Sequence, residues 1–326
     1  MFESTGMFDL LEAGSPAGKW SDELMQVIES ELFTEWLDYW EPKKIKRMVP
    51  QLVGKYGFLS RYANLHFHAM LAGCEDGKDH NWITAKFGEN YLPVQLNAII
   101  YKTICDIVEY YTTYNYNLRK IRQYTHLKDL IYTNFQKVFW CEKKGWKGFL
   151  NYAIDLRGSG LYEGPIYFDE LATEIFPLWA GICTQRQATI IVENIQTKYE
   201  CPKGLLTATK SSRAGSTFTK DIFEGWIFQW DYPNIWPPLM QIAVEGLLRY
   251  QFTDLAEKYM RIWIAYLEEV FKRSGMFFEK YALDFNIAIN EGFYGVEKGF
   301  GWTIGTYLWM LHTLDSLEIL NGKVLS

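Results

Sequence analysis

The sequence predicts an all-α fold in which helix pairs form a toroid-like arrangement. Apolar residues return every three to four positions over long stretches of the 326 residues, which is the spacing of one helix face. No long stretch shows the alternation of apolar and polar residues that half-buried strands require. Short turns and long loops alternate between the helical stretches, as in antiparallel helix pairs whose long loops gather at one end and build a site.

Nine stretches carry the helical period, with lengths of about twelve to twenty residues. The first follows the capping sequence Ser21-Asp22-Glu23 and continues to Trp36. The aromatic segments near 146–152 and 226–230 are expected to be loops or short strands. The remaining helices are predicted at about 44–55, 93–114, 118–138, 166–183, 185–197, 237–250, 253–273 and 300–320.

A single domain is expected over residues 1–326. No linker rich in proline, glycine and serine divides the chain. The loops at 74–91, 141–165, 199–226 and 279–299 interrupt the helices at intervals and do not mark one boundary. A chain of this length buries about 75% of the surface that its unfolded form exposes, which is enough for one large domain or two ordinary ones, so length alone does not choose between them.

Charge and cysteine content argue against several classes of function. The 33 basic and 39 acidic residues give a net charge of −6, so no positive field is available for nucleic acid or an anionic membrane surface. The five cysteines are scattered without a Cys-x-x-Cys pair, so neither a disulfide framework nor a zinc cluster is predicted. His66 and His68 lack a third ligand nearby, and no metal site is expected.

The N-terminal segment bears on localisation. Residues 1–16 lack the basic stretch and apolar core of an export signal, and no run of 18 uncharged apolar residues occurs in the chain. The literal sequence therefore predicts a cytoplasmic chain without a membrane segment, or a secreted one if an N-terminal signal has been lost. The oligomeric state stays open.

The most specific motif is Gln-Trp-Asp-Tyr-Pro-Asn-Ile-Trp-Pro-Pro at residues 229–238. Its prolines stiffen the segment, and Pro237 and Pro238 can start the next helix at its first turn. Flat aromatic faces beside carboxylate and amide groups suit a sugar, because its C–H faces stack on tryptophan while its hydroxyls hydrogen-bond. By chemistry alone, a rigid structural corner is an equally good interpretation.

This motif resembles the second signature of the α,α-trehalases, glycoside hydrolase family 37, which reads Gln-Trp-Asp-x-Pro-x-small-Trp-x-Pro. Every fixed position matches, and Ile235 fills the small one. Residues 279–281 (Glu-Lys-Tyr) and 299–305 (Gly-Phe-Gly-Trp-Thr-Ile-Gly) resemble the family's paired C-terminal elements. Two more elements, at 93–97 and 176–181, also resemble family segments. We interpret them as segments that pack helices together and not as catalytic elements. The chain is collinear with the family from about residue 70 to 320, whereas residues 1–70 match poorly.

The resemblance implies an (α/α)6 toroid, whether or not the ring is complete in this chain, and it implies two catalytic carboxyls. Glu279 corresponds to the general base, which deprotonates the attacking water. The aromatic residues Phe277 and Phe278 can partly desolvate it and raise its basicity. Without the resemblance, an exposed pair of Glu279 and Lys280 is the simpler interpretation.

Asp79 corresponds to the family's general acid. It lies in a segment that resembles the trehalase element Glu-Ser-Gly-Trp-Asp-Phe-Ser at Glu75, Gly77 and Asp79. Lys78 stands where the family has an aromatic residue. A lysine here can pair with Asp79 and lower its pKa, which opposes its use as an acid.

The resemblance further implies which residues line the sugar subsites. Glu291 is included because the family's glycine-rich loop, with its substrate-binding glutamate, appears here as Ile-Asn-Glu-Gly-Phe-Tyr with Phe293 at the glutamate position. The family's first signature, Pro-Gly-Gly-Arg-Phe, is missing. We expect the motif aromatics Trp230, Trp236, Phe300 and Trp302 to form a sugar-facing platform. The expected substrate-binding residues are Gln229, Trp230, Asp231, Asn234, Glu291 and Trp302.

The predicted function is inverting hydrolysis of α,α-trehalose to two glucose molecules, with no cofactor and with the disaccharide as the small-molecule partner. This mechanism requires the carboxyls of Asp79 and Glu279 about 6.5–9.5 Å apart, to admit a water. The altered motifs leave three alternatives open: a non-catalytic trehalase-like protein that binds sugar or interacts with partners, a truncated form of a longer enzyme, and a toroid glycosidase acting on another glucoside.

Overall fold

The structure is a computed structural model, and it describes residues 59, 83, 91–154, 162–211, 230–283 and 296–320. Helices dominate these residues, and a five-residue π-helix, Ile195–Tyr199, follows α4 directly. The α-helices of the described residues are α1 (Val94–Thr113), α2 (Leu118–Phe139), α3 (Leu171–Ala180), α4 (Gln185–Asn194), α5 (Pro237–Arg249), α6 (Thr253–Ser274) and α7 (Gly301–Leu320).

The strands in the described residues are only two to four residues long, and all their pairings for which a register is given are antiparallel. One sheet has the order β1-β4-β5, and three two-stranded sheets pair β2 with β3, β6 with β7, and β8 with β9. These strands are β1 (Tyr91–Leu92), β2 (Trp140–Lys143), β3 (Trp146–Phe149), β4 (Tyr152–Ala153), β5 (Gly164–Pro165), β6 (Glu200–Cys201), β7 (Gly204–Leu205), β8 (Asn234–Ile235) and β9 (Tyr281–Ala282).

The predicted helices are confirmed wherever the structure describes them, with one large change of length. The expected helix at 166–183 is only α3, Leu171–Ala180. It begins late because Gly164–Pro165 belongs to β5 and Glu170 forms a bridge with Ala208. It ends at Gly181, whose φ of 71° is the left-handed conformation typical of helix C-caps. The helices predicted at 21–36 and 44–55 lie outside the described residues.

The described residues fall into two compact units. One unit contains 91–140 with 151–154 and 162–165, and the other contains 141–150 and the described residues from 166 onward. Each unit is discontinuous in sequence, so the division does not mark a linker, and a single domain stays a prediction.

The first unit is built on the packing of α1 against α2. Tyr111 of α1 stacks on Tyr124 of α2 with ring centroids 6.2 Å apart. The Lys120 ammonium lies 5.8 Å and 5.7 Å from these two ring centroids, within cation–π range. At the start of α1, the Val94 N–H donates to Asn151 Oδ1 at 2.8 Å. This bond satisfies one of the free N–H groups of the first helical turn.

The second unit is centred on α5, which packs against α3, α6 and α7. All ten residues of α3 are buried, which confirms that its Phe-Pro-Leu-Trp element is a helix-packing segment. Helices α3 and α5 approach closely at Gly246, where an added Cβ would lie 2.8 Å from Leu178 Cβ and 3.0 Å from Trp179 N. Because those neighbours include backbone, only glycine fits this crossing.

Helix α3 also carries a buried carboxyl, that of Glu174. Its Oε1 accepts a hydrogen bond from Asn194 Nδ2 at 2.9 Å. Burial raises the pKa of Glu174 to about 8, although the Lys198 ammonium and the bond from Asn194 act in the opposite direction and Asp169 adds to the rise. Glu174 is therefore mostly protonated in the folded chain at neutral pH.

Replacing Glu174 with glutamine is expected to stabilise the fold near pH 9 relative to the wild type, with little effect near pH 5. The folded-state pKa of about 8 lies above the ordinary value of 4.5. Between these values the unfolded chain binds fewer protons, so the wild-type free energy of unfolding falls as pH rises through this window. Glutamine does not titrate, so the free energy of unfolding of the variant lacks this decrease with pH. Urea unfolding of both proteins from pH 5 to 9 measures the difference, and a difference independent of pH contradicts the prediction.

Candidate active site

The Gln-Trp-Asp motif enters the described structure at Trp230 and continues through a tight loop into β8. Thr207 holds this loop. Its Oγ1 lies 3.0 Å from the carbonyl oxygens of both Asp231 and Asn234, and its N–H donates to the Asn234 oxygen at 3.0 Å. Asp231 and Asn234 are themselves buried. The loop is thus shaped by hydrogen bonds from the Thr207 hydroxyl and N–H to its main-chain carbonyls, within the core of the second unit.

Helix α5 begins where the motif ends. Trp236 is its N-cap, and prolines occupy its first two positions, as the sequence predicts. Proline suits these positions because the first-turn N–H groups have no partner within the helix and its φ is already helical. The motif is therefore fixed at one end by Thr207 and at the other by a helix start.

Four motif aromatics form an aromatic cluster: Trp230, Trp236, Phe300 and Trp302. Trp230 stacks on Trp236 with ring centroids 3.8 Å apart and planes 6° apart. Trp302 meets Trp236 edge to face at 5.5 Å and packs on Phe300 at 4.6 Å. Trp236 is 1% exposed and Trp230 is 6% exposed, whereas Trp302 is 36% exposed. The expectation that Trp236 faces sugar is therefore wrong, because the indole is enclosed as a core residue between two other tryptophans.

Strands β8 and β9 join the Gln-Trp-Asp motif to the Glu-Lys-Tyr element. Asn234 pairs with Ala282, and Ile235 pairs with Tyr281. The Leu283 N–H also donates to the Pro233 oxygen at 3.4 Å. Two motifs that are far apart in the chain are thus adjacent in the second unit.

The segment that carries Glu279 is bound on both sides by the main chain. The Glu279 N–H donates to the Glu297 oxygen at 3.0 Å, and Phe278 forms an antiparallel bridge with Lys298. The Phe278 N–H donates to the Tyr281 hydroxyl at 3.0 Å. Residues 277–279 therefore lie along residues 297–299, which lead into α7.

Side chains of α7 add two more bonds to this segment. The Trp302 indole N–H donates to the Glu279 carbonyl at 2.9 Å. The Thr303 hydroxyl donates to the Phe278 carbonyl at 2.6 Å. The Gly-Phe-Gly-Trp-Thr element thus meets the Glu-Lys-Tyr element directly, and both belong to one site.

Glu279 and Lys280 are not an exposed ion pair. Glu279 is 6% exposed and Lys280 is fully buried. An exposed Glu-Lys pair contributes little to a fold, whereas charged groups are rarely buried without a specific role or partner. The simpler interpretation from the sequence is therefore wrong, and the burial places Glu279 among the candidate functional residues.

The structure brings together five of the residues that the sequence singles out, and all five belong to the second unit. These are Trp230, Asp231, Asn234, Glu279 and Trp302. Three other expected site residues, Asp79, Gln229 and Glu291, lie outside the described residues. Their roles stay predictions, as does the separation between the carboxyls of Asp79 and Glu279.

Two threonines of the site were not predicted from the sequence. Thr303 had a signal, because it stands inside the Gly-Phe-Gly-Trp-Thr element. Thr207 had none, because its contacts with Asp231 and Asn234 depend on a chain reversal that no local pattern shows. Both hydroxyls act on main-chain carbonyls.

The described residues show neither a metal cluster nor a membrane span. No group of three or more histidine, cysteine, aspartate or glutamate side chains among them is arranged to hold a metal ion. None of the helices in the same part of the chain has the length and apolar character needed to cross a bilayer.

Sequence comparison relates this chain to trehalases. The trehalase family model matches residues 65–315. A cytosolic neutral trehalase of Beauveria bassiana is 32% identical over 192 residues, which cover 55% of this chain and 24% of the relative. A probable trehalase of Eremothecium gossypii is 28% identical over 255 residues, covering 72% and 32% of the two chains. A periplasmic trehalase of Pseudomonas aeruginosa is 33% identical over 141 residues, covering 43% and 23%. The chain therefore spans about a quarter to a third of the length of these curated relatives.

A solved structure supports the same relationship at the level of fold. Neutral trehalase Nth1 from Saccharomyces cerevisiae aligns with a TM-score of 0.58 and 20% identity, covering 94% of this chain and 49% of that one. The predicted all-α, (α/α)6 toroid-like class is confirmed. Since the family model matches more than half of the residues and three of the family's motif segments meet in the second unit, the chain belongs to the trehalase family of glycoside hydrolases.

Proposed function

We propose that this chain hydrolyses α,α-trehalose to two glucose molecules by an inverting mechanism. The supporting observation is the β8–β9 pairing, which joins the loop of Trp230 and Asp231 to the segment of Glu279. Family membership supports the trehalose substrate. A carboxylate beside stacked indoles and buried polar side chains suits a sugar hydrolase, because the aromatic groups bind the ring while the carboxylate acts on water.

In this proposal Glu279 is the general base and Asp79 the general acid. The Glu279 carboxylate takes a proton from a water, whose oxygen attacks the anomeric carbon of one glucose unit. The bond from that carbon to the bridging oxygen breaks, and Asp79 gives its proton to the departing oxygen. One product is then β-glucose and the other α-glucose, as inversion at one centre requires.

The sugar contacts belong to the residues around the base. We assign the aromatic surface to Trp302, which is 36% exposed, and to Trp230, which is 6% exposed. The hydrogen-bonding groups are those of the buried Asp231 and Asn234, together with Gln229 and Glu291. The Trp302 indole N–H already donates to the Glu279 carbonyl, so this side chain offers substrate its ring and not its N–H. Its N–H therefore has a structural role, and its ring is the part proposed to contact the sugar.

Incubation of the purified chain with trehalose tests the substrate and the mechanism together. Proton NMR at early times is expected to show equal amounts of α- and β-glucose, before mutarotation mixes them. A retaining mechanism releases only the α-anomer at first, so that result contradicts inversion.

A panel of other glucosides and a calorimetric titration separate the alternatives. A toroid glycosidase of different specificity hydrolyses another member of the panel faster than trehalose. A binding protein releases heat with trehalose and produces no glucose. Either outcome overturns the proposed function. The first identifies a glycosidase of different specificity, and the second identifies a sugar-binding protein without activity.

A further inference from the structure

The first turn of α7 holds the backbone around the proposed base from one side. The Trp302 indole N–H donates to the carbonyl of Glu279, and the Thr303 hydroxyl donates to the carbonyl of the preceding residue, Phe278. Two consecutive side chains thus bind two consecutive peptide groups. The 2.6 Å separation at Thr303 is at the short end for a bond from a hydroxyl to a carbonyl.

Thr303 is the more rigid of these two contacts. It is fully buried, whereas Trp302 is 36% exposed. Its helix packs against both α5 and α6, and a β-branched side chain in a helix has few accessible rotamers. The hydroxyl is therefore held at a fixed place relative to the core of the second unit.

The backbone groups of Glu279 itself are bound as well. Its N–H donates to Glu297 and its own carbonyl accepts from Trp302. The peptide group that precedes Glu279 presents its carbonyl to Thr303. The orientation of that peptide sets the direction in which the Glu279 side chain leaves the backbone.

We propose that Thr303 is a positioning residue for the general base. The inference rests on the proposed function, in which Glu279 activates water. Thr303 touches neither substrate nor water and transfers no proton. Its hydroxyl fixes the Phe278–Glu279 peptide, so that the carboxylate keeps the distance and angle that water activation requires.

The effect of losing this bond is expected in the chemical step. A displacement of about 1 Å at a catalytic group costs up to about 100-fold in rate. Replacing Thr303 with valine keeps the shape and removes the hydroxyl, so kcat is expected to fall by about 10- to 100-fold. The KM for trehalose is expected to stay within about twofold, since binding groups are unchanged. Replacing Thr303 with serine keeps the hydroxyl and is expected to restore most of the kcat.

Thr306 offers a matched control on the same helix. It is buried like Thr303, but its hydroxyl donates to Gln241 Oε1 at 3.2 Å and not to the segment of Glu279. Thr306→Val removes the same group from the same environment, so it reports the cost of the substitution alone. We expect it to leave kcat within about threefold of the wild type, because it moves no catalytic group.

The experiment compares trehalose with α-D-glucosyl fluoride in all variants. Fluoride departs without a proton, so its hydrolysis needs the base and not the acid. Thr303→Val is expected to lose a similar factor on both substrates, whereas Asp79→Asn is expected to lose activity mainly on trehalose. A loss in Thr303→Val confined to trehalose, or one matched by Thr306→Val, overturns the positioning role.

Hydrogen exchange of residues 277–283 gives a readout that does not depend on turnover. Faster exchange in Thr303→Val but not in Thr303→Ser or Thr306→Val is expected; equal exchange in all variants overturns the proposal. If Thr303→Val does not fold, Thr303→Ala carries the same comparison. A wild-type chain that turns over neither substrate contradicts the proposed function, and the exchange result then decides by itself whether Thr303 holds this segment.

Discussion

Replacing Glu279 with glutamine is expected to lower the kcat for trehalose by about 10²–10⁴-fold while the chain stays folded. Glutamine keeps the size of the side chain but accepts no proton from water. The hydrogen bonds that this backbone makes with the Glu297 carbonyl, the Trp302 indole and the Thr303 hydroxyl do not depend on the carboxylate, so the segment is expected to keep its shape. Initial rates of glucose release and the urea midpoint of the same preparation measure the two effects separately.

The matched control is Glu174→Gln, which makes the same change in another buried carboxyl of the second unit. Its activity at pH 6 is expected to stay within about threefold of the wild type, since Glu174 is already mostly protonated there. Retention of more than a third of the wild-type kcat in Glu279→Gln shows that Glu279 is not the base. Equal losses in both variants assign the effect to a general disturbance of the unit.

Replacing Trp236 with alanine is expected to reduce the free energy of unfolding by about 3–5 kcal/mol, the usual cost of removing a large buried aromatic side chain. Trp236 is 1% exposed, stacks on Trp230 and receives the edge of Trp302. Its removal leaves a cavity under both rings. Urea denaturation measures the change as a lower midpoint at unchanged m-value.

Leu308→Ala serves as the comparison for Trp236→Ala, because Leu308 is 57% exposed. Its expected cost lies within about 0.5 kcal/mol. A loss below about 1 kcal/mol in Trp236→Ala contradicts the assignment of this indole to the core and returns it to the ligand-facing surface. Activity is expected to fall as well, since Trp230 and Trp302 both pack against Trp236.

The helices were predictable from the sequence because their signals are local. The apolar period and the prolines at 237–238 place α5 to within a residue. Helix α3 was overestimated because residues 166–170 are apolar enough to continue its period. Glu170 instead forms a bridge with Ala208, a contact between distant residues.

The site was predictable as a set of residues and not as an arrangement. The motifs named Glu279, Trp230 and Trp302, but strands of two residues such as β8 and β9 leave no periodicity in a sequence. The burial of Lys280 and Trp236 is likewise tertiary, and at Trp236 it includes the contact with Trp302 of α7. The presence of several aromatic residues in a motif therefore does not tell which ring faces a ligand and which ring supports it.

The short ladder between β8 and β9 also has a thermodynamic consequence. It contains two residue pairs, Asn234 with Ala282 and Ile235 with Tyr281. Opening either strand breaks the ladder bonds of the other, so the local openings of the Trp230 loop and of the Glu279 segment are coupled, although each also has bonds outside the ladder. A ligand that binds only the closed form of one raises its opening free energy by RT ln(1 + [L]/Kd), and the coupling passes part of that increase to the other. Under the proposed function, sugar bound at the Trp230 loop therefore also stabilises the segment that carries the proposed base.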